Sequence, residues 1–197
     1  MNAPVRIVAH LVLVFLAIGA AAPAQNLSTG TTTLVVLADR HVQDHLWPVL
    51  VSTLTRDAAA QGEASPITGS LEIVLAGKNT PGPSFPSRIE VELLGRCDSR
   101  WDRNPVHEQG PLGWVIGSSG NISPVIYVDC GRIYETLWLQ TQSMDRDQWL
   151  QASSEAISHV ILHEWIHIAT QSPEHASHGI MRPELSPREL TAPITDQ

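Results

Sequence analysis

The run His163-Glu164-Trp165-Ile166-His167 spells H-E-x-x-H in a stretch of helical periodicity. On a helix, residues four apart stand one above the other on the same face. The imidazoles of His163 and His167 can therefore reach one metal ion. Glu164 is the next residue along, angled toward the open side of that ion. A carboxylate there can take a proton from a water that the ion activates. The chemistry on offer is zinc-assisted hydrolysis with Glu164 as general base.

Two imidazoles do not complete such a site, because a catalytic zinc takes three protein ligands and keeps its fourth place for water. The chain must return with another donor. His175 and His178 follow the helix-breaking Pro173, and either can fold back. Glu184 and Glu189, further on, are the remaining candidates. His159 lies one turn before His163 and offers either a contact to the site or ordinary packing. Tyr127 and Tyr134 could steady an oxyanion, although nothing in their spacing demands it. Trp165 points to the core.

These residues need a helix to hold them. Asp145 is an N-cap with Gln148 as its capping-box partner, and the helix runs from there to about Gln171. Ile157, Val160, Ile161, Trp165 and Ile168 mark its core side, with His159, His163 and His167 as a row on the opposite flank. Upstream, Leu34–Ala38 and Leu71–Leu75 read as buried strands, and Ile89–Leu93 alternates like a strand with one wet face. A helix starts near Asp44, with Pro48 in its first turn, and runs to about Ala60. Leu112–Ile116 and Pro124–Asp129 form a hairpin around Ser119-Gly120-Asn121, and a helix follows from Cys130 to about Gln140. Gln25–Thr33, Gly62–Gly69, Gly77–Ser87 and Arg96–Gly110 read as leader, turn and loops; the last carries Trp101, His107 and Glu108.

Residues 1–24 read as a secretory signal peptide: Arg6, an apolar run from Ile7 to Ala22, then Ala22-Pro23-Ala24 with cleavage after Ala24. The mature chain, residues 25–197, suits one domain without stable membrane insertion. It is expected in the periplasm or outside the cell. There the two cysteines, Cys97 and Cys130, can form a disulfide; two buried thiols are the alternative. The formal net charge of −8 argues against nucleic acid and anionic lipid as partners.

The segment from His163 to Met181, HEWIHIATQSPEHASHGIM, resembles the zincin metallopeptidases, and within them the metzincins. In those, H-E-x-x-H leads through a turn to a third His, and a Met lies on a tight turn under the metal. The pattern is also similar to small exported bacterial metalloprotease-like proteins, with seven residues before the third His and a Gly-hydrophobic-Met tail. The resemblance covers about residues 110–190. It implies an α+β, zincin-like fold: a mixed sheet of about four or five strands packed on a long active-site helix with one or two further helices. It implies one Zn²⁺ on His163, His167 and His175, with Gly179-Ile180-Met181 as the Met-turn. One departure stands out. Metzincins place five residues and a Gly between the second and third His, whereas this chain has seven and only Pro173.

The expected activity is that of a zinc metallopeptidase acting on a peptide or protein substrate. Two other readings compete. One is a catalytically silent zincin-like exported domain that binds zinc or a partner. The other is hydrolysis of a different amide, such as one in cell-wall peptides.

Overall fold

The computed structural model describes residues 31–38, 42–61, 71–77, 88–97, 106 and 109–194. The expected signal peptide, most of the leader, the 62–69 turn and nearly all of the 77–87 and 96–110 loops lie outside the described residues, with Trp101, His107 and Glu108.

Strand β1 (Thr32–Ala38) is buried along its whole length. It begins two residues before the apolar run, inside the segment expected to be leader. A strand with no wet face needs neighbours on both edges, and β1 has them. It pairs in parallel with β2 (Leu71–Gly77) and with β3 (Arg88–Leu94). Strand β5 (Asn121–Asp129) adds in parallel to β3, and β4 (Gly113–Ser118) adds antiparallel to β5. The sheet is thus mixed and five-stranded, in the order β2-β1-β3-β5-β4, with β4 at one edge.

Register lines up one apolar face. Leu34 sits beside Ile89, Val36 beside Val91, Val91 beside Ile126, and Leu93 beside Val128. All belong to the main core with residues of the three long helices, α1 (Trp47–Ala60), α2 (Cys130–Thr141) and α3 (Arg146–Thr170). Glu90 and Glu92 alternate onto the half-buried face, as the sequence pattern requires.

Local chemistry sets the ends of the helices. A single π-helical turn, Val42–Leu46, leads into α1, and Pro48 falls in the first turn of that helix. Asp129 caps α2 by accepting from the Arg132 amide at 3.1 Å, and its other oxygen accepts from the Val106 amide at 2.8 Å. Asp145 and Gln148 close a full capping box on α3. Cys97, just past β3, is disulfide-bonded to Cys130, the first residue of α2. No helix among the described residues is long and apolar enough to cross a membrane.

The hairpin is longer than its sequence suggested. Ser119 and Gly120 both take positive φ, at 52° and 83°. That is the geometry of a two-residue turn whose twist matches its strands. Pro124 lies inside β5, in an irregularity where the register jumps between Val115–Ile126 and Gly117–Ile122. A residue without an N–H is tolerated at such a break.

Candidate metal centre

Helix α3 is 25 residues long and almost wholly buried from Trp149 to Ile168. Sheet, α1 and α2 all pack against it. The row of His159, His163 and His167 expected opposite the core side is enclosed as well, and His159 and His167 are as buried as the apolar residues. The exception is a cleft of about 720 Å³ beside the last turns, where Gly113, Trp114, His163, Glu164, His167 and His175 meet.

His163 and His167 face each other across one helical turn. The Nδ1 of His163 lies 2.8 Å from the carbonyl of Ile180, and the Nδ1 of His167 lies 2.7 Å from that of Ser172. A carbonyl oxygen only accepts, so each Nδ1 carries the ring proton. Both Nε2 atoms are then lone-pair acceptors, and they stand 3.1 Å apart. Two acceptors that close repel unless positive charge lies between them. Burial holds the His163 imidazole down to about 4 and lowers that of His167 too, against the opposing pull of their carbonyl partners.

A divalent ion fits this donor set. Two Zn–N bonds of about 2.0–2.1 Å at a tetrahedral angle hold their nitrogens roughly 3.3–3.4 Å apart. His175, on the exposed segment after α3, supplies a third imidazole, with ring centroids 5.2 Å from His163 and 4.9 Å from His167. The three donor atoms all lie within 4.8 Å of one another. The carbonyls behind His163 and His167 fix tautomer and ring orientation, as partners of metal-bound imidazoles usually do.

Glu164 projects into the same cleft but is only 7% exposed. Burial raises its carboxyl to about 7, and a neighbouring cation would pull it back down. Among the described residues its carboxylate has no hydrogen-bond partner. Gly113, on the edge strand, lets α3 approach this closely. A Cβ there would stand 2.3 Å from Val160 Cγ1 and 2.9 Å from the Tyr127 carbonyl.

The return of the chain explains the departure from the metzincin spacing. Gln171 ends α3 in a left-handed conformation with φ 51°, the place where a Gly is usual. Its side chain offsets the strain by clasping the turn end of the hairpin. Oε1 accepts from the Ile122 amide at 2.8 Å, and Nε2 donates to the Ile122 and Ile168 carbonyls at 3.2 and 2.7 Å. The Ser172 amide then reaches back to the His167 carbonyl at 3.3 Å.

The other candidates stand elsewhere. His178 is exposed, contacts Ser177, and lines a separate cavity of about 660 Å³ with Met181 and His159. Glu189 pairs with Arg182 and caps the short helix α4 (Pro187–Leu190). Glu184 is the exception, since it lines the same cleft as the three imidazoles. Gly179 has φ 70° and opens a turn closed by the Arg182 amide on the Gly179 carbonyl, so Met181 does sit on a tight turn. Tyr134 is buried with its hydroxyl on the Cys97 carbonyl, and Tyr127 stacks on Trp114 at 5.4 Å. Neither Tyr lines the cleft. Sequence reading missed Gln171, Gly113 and the two backing carbonyls. Only Gly113, a glycine inside an apolar strand, carried a signal that could have found it.

The chain matches no protein-family model, no curated protein and no solved structure.

Proposed function

We propose that this chain is an exported zinc-dependent hydrolase of zincin type that cleaves peptide bonds. One observation carries the reading: two imidazole lone pairs face each other at 3.1 Å with a third imidazole beside them and an unpaired carboxylate in the same cleft. The Cys97–Cys130 disulfide supports the exported setting.

His163, His167 and His175 would hold the ion. The chemistry supplied by a bound Zn²⁺ is Lewis acidity, which brings the pKa of its water toward about 7 and polarises a scissile carbonyl. Glu164 takes the proton of the attacking water and returns it to the leaving amine. Its burial raises its basicity, and the cation beside it opposes that rise. The edge strand β4 lies along the cleft and, among the described residues, has one side without a neighbouring strand, so an extended peptide can pair with it. Gln171 and the Ser172 carbonyl hold His167 in place. A site of purely structural zinc would use four protein ligands and would have no role for Glu164.

Glu164→Ala tests the assignment. The variant should keep its zinc and lose about 10²–10⁴-fold in peptide hydrolysis. Cleavage of a protein substrate at the parent rate would remove Glu164 from the mechanism.

A further inference from the structure

The spacing that brings His163 and His167 together occurs again two turns earlier on α3, with Glu155 and His159. Both side chains are 4% exposed, and both turn toward α1. There they meet Asp57, which is wholly buried. One donor atom from each of Asp57, Glu155 and His159 lies within 4.8 Å of the other two.

The partners of this cluster leave it incomplete in two ways. The first concerns charge. Arg56 bridges both carboxylates, reaching Asp57 Oδ1 through Nε at 2.9 Å and Nη2 at 2.6 Å, and contacting Glu155 through Nη2. One guanidinium against two carboxylates leaves a net negative charge in the interior. Such a charge is costly unless it is compensated. The second concerns hydrogen bonding. The Nε2 of His159 is buried and has no hydrogen-bond partner. Ser158 donates to Asp57 Oδ2 at 2.8 Å and Gln151 to Glu155 Oε1 at 2.6 Å, so neither reaches the imidazole. Asp57 Oδ1 accepts twice from Arg56, but Asp57 Oδ2 and both oxygens of Glu155 accept once each, so lone-pair directions remain on both carboxylates. A cation placed among the three would meet both deficits together.

We propose that Asp57, Glu155 and His159 form a second divalent-cation site that clamps α1 to α3. The donor set, two carboxylates and one imidazole, suits a first-row transition ion such as Zn²⁺ or Mn²⁺. Ca²⁺ and Mg²⁺ prefer oxygen alone. Arg56, 45% exposed, covers the solvent side and neutralises the outer face of the same carboxylates. The site is separate from the hydrolytic cleft and does not depend on the function proposed for it.

The test is the metal content of the full-length purified chain by mass spectrometry, with far-UV circular dichroism to confirm folding. The parent should hold two ions, Glu155→Gln and His159→Gln one each, and the His163→Ala/His167→Ala chain one. A parent with a single ion that is lost in His163→Ala/His167→Ala would overturn the second site and leave the hydrolase reading standing. A single ion that survives there but disappears in His159→Gln would support this site and overturn the other. A parent without any ion would overturn both. Should Glu155→Gln fail to fold, Co²⁺ titration of the His163→Ala/His167→Ala chain decides. Saturable uptake of one equivalent supports the clamp, and its absence overturns it.

Discussion

One helix carries two donor pairs at the same four-residue spacing, and their surroundings differ. His163 and His167 are backed by the Ile180 and Ser172 carbonyls and open onto a cleft. Glu155 and His159 are backed by α1, with Arg56, Ser158 and Gln151 taking the carboxylate oxygens. The first pair has room beside it for solvent and substrate. In the second, Glu155 lines neither cavity and only His159 reaches one, the separate cavity it shares with His178 and Met181. Spacing along a helix therefore decides which side chains can meet, while the atoms behind them and the access in front decide what they can do.

That contrast can be broken at three points. The largest effect belongs to His167→Ala. It should release the ion from the cleft and reduce hydrolysis to the metal-free rate, a greater loss than the roughly 10²–10⁴-fold expected from removing the base alone. Retained activity in that variant, measured after dialysis against chelator, would place the chemistry elsewhere. An intermediate effect is expected at the interior pair. Asp57→Asn should lower folding stability by about 1–3 kcal/mol, because the cation proposed there loses a ligand and Arg56 and Ser158 lose a charged acceptor. Urea unfolding with an unchanged slope would measure it. The smallest effect is His178→Ala. The side chain is exposed and outside both donor groups. Stability should stay within about 0.5 kcal/mol and metal content should not move. A lost ion there would mean that His178, not His175, completes the cleft.

Much of the frame was written locally. Asp145 and Gln148 announce the start of α3, H-E-x-x-H its cleft-facing turns, and the alternation of Ile89–Leu93 its strand. Such signals act over one or two turns of chain. The return of His175 was less legible, because the bend relies on Gln171 in a conformation normally left to glycine, held by a strand some 49 residues away. The acidic cluster was not legible at all. Ser158 and Asp57 are 101 residues apart, and neither lies in a pattern that names the other. The enclosure of the histidine row was not legible for a related reason: periodicity shows which face is apolar, but not that a helix is enclosed by sheet and two neighbours at once.

The segment after Gln171 supplies the third imidazole and both carbonyls that orient the first two, yet residues 173–178 are exposed and only Leu190 is fully inside. In the zinc-bound form proposed above, coordination would act as a latch on the chain's own tail. On the same proposal, a zinc-starved medium would leave that tail loose and open to proteolysis, so scarcity of the ion would end in destruction of the protein.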